Sequence, residues 1–187
     1  MYPDEHGFPA LALGPSNAML GAMKIRKARL ADASIIADFN SRLAWETEKL
    51  RLDPQIIQRG VCAALKDAAK GTYFVAEHEG AVAGQLFITY EWSDWRNGNF
   101  WWIQSVYVAA AHRQNGVFRA LFDHVQKLAR VRRDVRGLRL YVEQNNDRAQ
   151  RTYAKLGMVK THYAVFEMDL HQKTKLAPSR TRAKLRA

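Results

Sequence analysis

The chain has 187 residues and a mass of 21.4 kDa, with 48% apolar and 25% charged residues. This is the size and composition of one folded domain, and it excludes a disordered chain. The longest apolar run, residues 106–111, has six residues, whereas a membrane-spanning helix needs about 20. The single cysteine, Cys62, excludes a disulfide framework and a Cys-rich zinc site. We therefore predict a cytoplasmic protein with no membrane association and no bound metal.

The formal net charge is +11, and the excess of basic residues lies in the second half of the chain. Residues 113–160 contain twelve lysines and arginines but four acidic residues, and residues 171–187 contain basic residues without any acid. A polyanionic partner is the natural expectation, and either a nucleic acid or a phosphorylated cofactor fits it.

The first half of the chain predicts a strand, two helices and a hairpin. Residues 24–29 have strand character, Asp32 is suited to cap a helix, and Asp53-Pro54 is typical of the start of a second helix that Gly71 ends. Two runs rich in β-branched and aromatic residues, 72–78 and 81–90, then meet at a Glu-Gly turn.

The second half predicts two strand–helix pairs and a last strand. Asn97-Gly98 indicates a hairpin turn that leads into a strand through 100–108, and apolar residues at helical spacing follow from Val117. The later elements are a strand at 138–142, a helix from Asn146 or Asp147 to Leu156 closed by Gly157, and an alternating strand over 164–170.

This order, β-α-α-β-β-β-α-β-α-β, predicts an α+β fold with a mostly antiparallel sheet and helices on both faces. We place the domain at residues 24–170. A loosely ordered extension over 1–23, which contains several prolines and glycines, precedes it, and a basic tail over 171–187 follows it.

Two motifs carry chemical information. The first is Val106-Tyr107-Val108, followed after four residues by the run Arg113-Gln114-Asn115-Gly116-Val117-Phe118-Arg119. A strand, a glycine-containing loop and a helix N-terminus form a ready anion site, because the first amides of a helix lack partners within the helix. An ordinary strand-to-helix connection with solvated arginines has the same local pattern.

The second motif runs from Asn146 to Met158 and places Ala149 and Tyr153 four residues apart, on one helix face. A tyrosine at such a position is, taken alone, usually a core aromatic. Two motifs separated by a single strand are much less easily explained as coincidence.

Together the motifs resemble those of the GNAT acetyltransferase superfamily. The family's phosphate loop, Arg/Gln-x-x-Gly-x-Gly/Ala, is matched from Arg113 to Phe118, and its Asn-x-x-Ala-x-x-x-Tyr-x-Lys-x-Gly-Phe helix is matched from Asn146 to Met158. The element order over 24–170 also fits. Phe118 stands where Gly or Ala is usual, so its side chain must turn away from the pyrophosphate, and Met158 replaces a Phe.

The resemblance implies an acetyl-CoA-dependent enzyme. Val106, Tyr107 and Val108 would pair their main chain with the pantetheine arm, and Asn146 would steady that arm. Backbone amides of the loop would hold the pyrophosphate, with Tyr153 as the acid that protonates the departing thiolate. The loop residues carried over in this way are Arg113, Gln114, Asn115, Gly116, Val117, Phe118 and Arg119.

The acceptor side is less defined. Related polyamine acetyltransferases often have Glu where this chain has Gln104, and a glutamine cannot take the proton of an ammonium group. A water relay to a carboxylate would then be needed, with the candidates Glu46, Glu48, Glu91 and Asp94. The aromatic block that includes Trp92 is interpreted either as packing over the helices or as a wall of the acceptor site.

The resulting hypothesis is an N-acetyltransferase that uses acetyl-CoA on a primary amine, most simply of a small molecule. A protein amine as acceptor keeps the same fold, and a non-catalytic nucleic-acid-binding domain is the alternative from another class. The chain lacks the sequence patterns of common nucleic-acid-binding modules, which disfavours the latter. Because the predicted last strand could pair across an interface, a homodimer is also possible.

Overall fold

The computed structural model describes residues 23–168 and residue 170. These residues form two compact units, which divide between Tyr141 and Val142. The extension predicted over 1–23 falls, apart from Met23, outside the described residues, as does the basic tail predicted over 171–187.

Within the described residues, the first unit contains five strands and three α-helices. The strands are β1 Lys24–Lys27, β2 Thr72–His78, β3 Ala81–Ser93, β4 Gly98–Val108 and β5 Val135–Leu140. The helices are α1 Ala33–Glu48, α2 Pro54–Lys66 and α3 Val117–Arg130.

The five strands form one sheet in the order β1-β2-β3-β4-β5, antiparallel throughout except that β5 runs parallel to β4. Both predicted hairpin turns are present. Glu79 and Gly80 have φ of 51° and 78°, and Asn97 before Gly98 has φ of 44°. Such left-handed turn residues match the twist of the strands that they join, which is why these short sequences fix the hairpin register.

Helices cover both faces of the sheet. Tyr73 and Phe74 are neighbours on β2 and therefore point to opposite faces. Asn40 of α1 donates a hydrogen bond to the Tyr73 hydroxyl, whereas the His124 ring of α3 lies 5.3 Å from the Phe74 ring. The predicted α+β class, with a mostly antiparallel mixed sheet and helices on both faces, is confirmed.

The two predicted helix caps have different outcomes. The Asp53 carboxylate accepts from the Gln55 and Ile56 amides at 2.8 and 3.0 Å, so the second helix begins as expected. Asp32 precedes α1 without capping it, and that prediction is wrong. Its carboxylate instead accepts from the Arg29 amide at 2.6 Å and from the Arg26 guanidinium, because a charged partner on β1 binds an ionised carboxylate more strongly than helix amides do.

The described part of the second unit has one α-helix, α4 Asp147–Lys155. The Asn146 side chain accepts from the Ala149 amide at 3.0 Å and caps it, while Gly157, with φ of 83°, ends it as predicted. The strand expected at 164–170 is wrong for its described residues, which belong to no strand. Their side chains are largely exposed, and alternation alone does not make a strand without a hydrogen-bonded neighbour.

No helix within the described residues is long and apolar enough to cross a membrane. The strand predicted at 138–142 is present but lies earlier, at Val135–Leu140.

Candidate functional site

Among the residues that the structure describes, the second half of β4 has a main-chain edge without a strand partner on the β5 side. The parallel pairing of β4 with β5 runs from Asn99 to Ile103 and ends there, although β4 continues to Val108. On its other side β4 stays paired with β3 as far as the Val108–Gly84 position. An extended ligand chain can therefore add to β4 along residues 104–108, as a further strand would.

A β-bulge lies within this exposed stretch. Gln85 pairs with Tyr107, but Phe87 pairs with Gln104, so β4 has one residue more than β3 between these two pairs. Ser105 occupies the bulge with φ of 47°, in the left-handed region that a side chain makes unfavourable. The bulge changes the direction of the main chain just before Val106.

A buried polar network holds the bulge in place. The Gln85 side-chain amide donates to the Ser105 carbonyl at 3.2 Å and to Asn40 Oδ1 at 2.6 Å. Asn40 donates in turn to the Tyr73 hydroxyl at 3.1 Å. Burial raises the pKa of Tyr73, and the neighbouring Asn40 and Ser105 side chains oppose the shift only in part. Gln85 of β3 thus holds the Ser105 carbonyl and is itself linked through Asn40 of α1 to Tyr73 of β2.

The loop before α3 has the conformation of an anion-binding turn. Gln114 and Gly116 both have left-handed backbones, with φ of 68° and 74°, and Gly116 stands at the N-cap position of α3 without a side-chain cap. The first amides of α3 therefore lack helix partners, and the first turn of the helix contains no acidic residue. Backbone N–H groups in such a turn, together with the helix dipole, favour a phosphate.

Close packing brings this loop to the sheet. A Cβ atom added at Gly84 of β3 would lie 2.9 Å from the Val117 side chain and 3.0 Å from the Tyr107 carbonyl. Only glycine therefore allows β3, β4 and the start of α3 to approach so closely. The Phe118 ring lies 6.1 Å from the Phe122 ring, one helical turn further along α3.

Arg113 in the loop and Arg119 in the first turn of α3 each have an acidic partner. Arg113 donates to Glu46 Oε2 at 2.6 Å and to the Val108 carbonyl at 3.0 Å, while Arg119 donates to Asp123 in the next turn of α3. Both ion pairs are solvent-accessible, so an incoming phosphate can compete for either guanidinium.

Glu46 of α1 contacts both the open edge of β4 and the loop before α3. Besides Arg113, it accepts from the Tyr107 hydroxyl at 2.8 Å. Partial burial opposes ionisation, but the hydrogen bonds from Tyr107 and Arg113 outweigh it and hold the pKa of Glu46 below its ordinary value. Burial, reinforced by the neighbouring carboxylate, raises the pKa of Tyr107. Glu46 is therefore a fixed, ionised carboxylate beside the loop.

The predicted acceptor residues do not all share one surface. Gln104 and Glu91 lie on the sheet face that α1 and α2 partly cover, because their positions on β4 and β3 alternate with those facing α3. The Gln104 side chain donates to Thr89 Oγ1 at 2.7 Å. Trp92 follows Glu91 directly on β3 and therefore lies on the opposite face from Gln104, with 59% of it exposed.

Two predicted site residues belong to the second unit. Asn146 uses its side-chain oxygen to cap α4, so its amide nitrogen is the group left to serve a ligand. Burial raises the pKa of the Tyr153 phenol above its ordinary value, so it is a neutral proton donor at physiological pH.

The network behind the bulge was not among the residues predicted from the sequence. Asn40, Gln85 and Ser105 have no place in either motif. A usable signal was present, because Gln85 is a polar residue in the otherwise apolar run 81–88 and it is fully buried. Buried amides need partners, which marks such a residue for attention.

Within residues 23–168 and 170, the structure shows no cluster of three or more His, Cys, Asp or Glu side chains placed to hold a metal ion.

These features define a class of fold: an open strand edge that can take an extended ligand, next to a helix N-terminus suited to bind an anion. The model of the acetyltransferase (GNAT) family matches residues 34–158. The chain belongs to this family and is an acetyl-CoA-dependent acyltransferase.

Solved structures agree with this assignment. A possible acetyltransferase from Clostridium difficile 630 is 43% identical, with a TM-score of 0.76 and coverage of 80% of this chain and 99% of that one. A predicted acetyltransferase from Clostridium acetobutylicum, solved with acetyl-CoA, is 19% identical with a TM-score of 0.65, covering 80% of this chain and 97% of that one, and it supports the fold alone. No curated protein matches the chain.

Proposed function

We propose that the protein is an N-acetyltransferase that transfers the acetyl group of acetyl-CoA to a primary amine of a small molecule. Transfer takes place by direct attack while both substrates are bound. The observation that carries this proposal is the combination of the unpaired β4 edge over 104–108 with the left-handed turn at Gln114 and Gly116. One feature fits an extended pantetheine arm and the other a pyrophosphate.

Each part of the donor has a matching group. The main chain of Val106, Tyr107 and Val108 pairs with the pantetheine arm, and Asn146 steadies it through its amide nitrogen. The pyrophosphate binds to loop amides, with Arg113 and Arg119 exchanging their acidic partners for phosphate oxygens. The loop residues assigned this role are Arg113, Gln114, Asn115, Gly116, Val117, Phe118 and Arg119.

In the reaction, the amine nitrogen bonds to the acetyl carbonyl carbon, the carbon–sulfur bond breaks, and the thiolate takes a proton. The bulge at Ser105 directs the Val106 amide, which polarises the carbonyl oxygen. Tyr153 supplies the proton for the thiolate, a role that its raised pKa supports. The amine loses its proton to solvent or, through water, to Glu46, which is ionised and lies beside the loop.

Calorimetric titration with acetyl-CoA tests the donor site, with ADP and a short DNA duplex as polyanion controls. We expect saturable binding of acetyl-CoA that persists at raised salt and exceeds both controls. Binding to DNA arises mainly from counterion release and falls steeply with salt. If the duplex bound as tightly and all binding disappeared together at high salt, the alternative of a nucleic-acid-binding domain would replace this proposal.

Acceptor specificity is tested by following thiol release with a panel of small amines and with peptides that have free lysines or N-termini. Turnover of small amines supports the proposal. Turnover confined to peptides would show that the acceptor is a protein amine.

A further inference from the structure

One cluster on the sheet, half-exposed except for the buried Phe100, is not used by the donor. It consists of Glu91 on β3, Phe100 and Trp102 on β4, and Arg139 on β5. Glu91 and Phe100 are register partners, as are Trp102 and Arg139, so the four side chains are neighbours on one face. The same face carries Gln104, two residues beyond Trp102, about 7 Å along the strand.

The cluster does not offer a free carboxylate to a cationic amine. Arg139 donates to Glu91 Oε1 at 2.6 Å, and the Trp102 indole N–H donates to the other carboxylate oxygen. The charge of Glu91 is therefore matched by a cation of the protein itself. An acceptor with several positive charges, such as a polyamine, would meet Arg139 as a like charge next to the only acid of the cluster.

The geometry of Arg139 is that of a positioned anion receptor. Its guanidinium lies 3.8 Å from the centre of the Phe100 ring, and the hydrogen bond to Glu91 fixes its rotation in the plane. A guanidinium has five N–H donors. Within the first unit, the hydrogen bond to Glu91 uses one of the two terminal nitrogens of Arg139. With 38% of the side chain exposed, the remaining edge can take a carboxylate in the planar, two-bond geometry that arginine favours.

The distance along β4 between the Arg139 guanidinium and the Val106 amide sets the length of an acceptor that could reach both. The Arg139 guanidinium lies over Phe100, and Val106 follows Phe100 by six residues, at most about 20 Å along the strand and less because of the bulge at Ser105. An elongated molecule held at Arg139 by an anionic group can extend along the open face past Gln104 toward the Val106 amide. Gln104, whose amide nitrogen donates to Thr89 Oγ1, lies between the two ends.

We infer that the acceptor is an amine that also carries a carboxylate, and that Arg139, held by Glu91 and Phe100, binds this carboxylate. The inference rests on the proposed function and narrows its substrate class from primary amines in general to amino acids and related compounds. Trp102, whose ring stacks on Tyr141 at 4.4 Å between centres, forms the adjacent wall.

The test compares matched acceptors, namely 4-aminobutanoate and 6-aminohexanoate, each with its carboxamide and with the diamine of similar length. The readout is the ratio of kcat/KM for the amino acid to kcat/KM for its amide. We expect this ratio to be about tenfold or more higher in the wild type than in Arg139→Met, the difference that one charge-assisted hydrogen-bonded pair supplies. KM for acetyl-CoA should be unchanged. Because the basicity of each amine affects both proteins equally, it cancels when the two ratios are compared.

Two further variants make the result specific. Arg133→Met, which removes an exposed arginine outside the cluster, should keep the wild-type ratio. Arg139→Lys keeps the charge but not the planar fork, so it should retain part of the preference. A wild-type preference for diamines over amino acids, or an amino-acid-to-amide ratio that Arg139→Met leaves unchanged, overturns the inference while the proposed function stands. Acetyl-CoA binding without turnover of any small amine overturns both.

Discussion

The side-chain amide of Gln85 donates a hydrogen bond to the main-chain carbonyl of Ser105, across the two strands that carry the transfer site. Ser105 has a left-handed backbone, which costs an L-amino acid about 1–2 kcal/mol. The hydrogen bond is one of the contacts that offset this cost. The same bulge sets the direction of the Val106 amide, so a fully buried glutamine positions the group that we propose polarises the thioester.

Gln85→Leu should therefore affect both stability and catalysis. The change leaves Asn40 Oδ1 and the Ser105 carbonyl without their donor, and each buried unpaired group costs about 1–3 kcal/mol. We expect the free energy of unfolding to fall by about that amount and kcat/KM for acetyl-CoA to fall by about tenfold or more, because small displacements at a reaction centre are costly.

Gln58→Leu is the matched control for this substitution. Gln58 lies on α2, half-buried and away from the bulge, and its contact is a weak one with the Cys62 sulfur at 3.7 Å. It should change the free energy of unfolding by about 0.5 kcal/mol or less and leave the kinetics unchanged. Denaturant titration and initial rates at varied acetyl-CoA measure both effects. Wild-type kinetics in a folded Gln85→Leu protein would exclude a role of the network in positioning.

The fold was predictable from the sequence to a large extent, because its elements have local signals. Asp53-Pro54 marks a helix start, Asn97-Gly98 marks a hairpin, and Gly157 marks a helix end, and each lies where predicted. These residues act on their own backbone within a few positions. A signal of this kind can be recognised without knowing which distant residues lie nearby in the fold.

Features that depend on distant partners were not predictable in the same way. Asp32 has the residue type of a helix cap, but its carboxylate binds Arg26 on β1. The alternation over 164–170 suggested a strand, yet no local pattern supplies the neighbour that a strand requires. The Gln85–Ser105 contact joins residues that are twenty positions apart, so only the assembled sheet brings them together.

Asp32 makes a contribution to stability that should depend on pH. Hydrogen bonds from Arg26, and from the Arg29 amide, hold the pKa of Asp32 below its ordinary value of 3.8 although burial opposes this. The carboxylate is 11% exposed. We expect Asp32→Asn to lower the free energy of unfolding at pH 7 by about 2–3 kcal/mol, because it leaves a partly buried guanidinium with one acidic partner fewer.

The sign of the pH dependence follows from the lowered pKa. A carboxyl whose folded-state pKa is depressed stabilises fully above its unfolded pKa, and this contribution is lost as the pH falls through the folded value. Urea titrations should thus give a constant difference between wild type and Asp32→Asn from pH 5 to 7, shrinking below about pH 4. Asp38→Asn, which breaks an exposed pair with Arg42, should leave the free energy of unfolding nearly unchanged at every pH. A difference that persisted undiminished at pH 2 would contradict this role of Asp32.

Gly116 and Gly80 allow the donor loop to be tested separately from backbone strain. They have nearly the same left-handed backbone, with φ of 74° and 78°, but Gly80 lies in the β2–β3 turn with open space around it. Alanine at either position should lower the free energy of unfolding by about 1 kcal/mol. Only Gly116→Ala should weaken acetyl-CoA binding, because a Cβ there narrows the approach of a pyrophosphate to the loop amides.

Calorimetric titration of both glycine variants measures this difference directly. We expect about a tenfold increase in the acetyl-CoA dissociation constant for Gly116→Ala, equivalent to about 1.4 kcal/mol, and the wild-type value for Gly80→Ala. Equal affinities in the two variants would place the pyrophosphate elsewhere on the protein.

Tyr153→Phe tests the proton donor. The substitution keeps the ring and removes the hydroxyl, so the thiolate must leave without a positioned acid, and we expect the rate of transfer to fall by about 100-fold or more. Acetyl-CoA affinity should change little, because the proposed site assigns the pantetheine and pyrophosphate contacts to other residues. Since burial raises the pKa of this phenol above its ordinary value of 10.0, the wild-type rate should show no inflection from it between pH 7 and 9.

Single-turnover measurements are the appropriate readout for Tyr153→Phe, since they report the transfer step even where product release limits kcat. Tyr163→Phe is the control: it removes the same hydroxyl from a side chain that is 75% exposed, and its transfer rate should equal that of the wild type. If Tyr153→Phe also transferred acetyl at the wild-type rate, the proton would have to reach the thiolate from water. The raised pKa of the phenol would then reflect burial without a catalytic role.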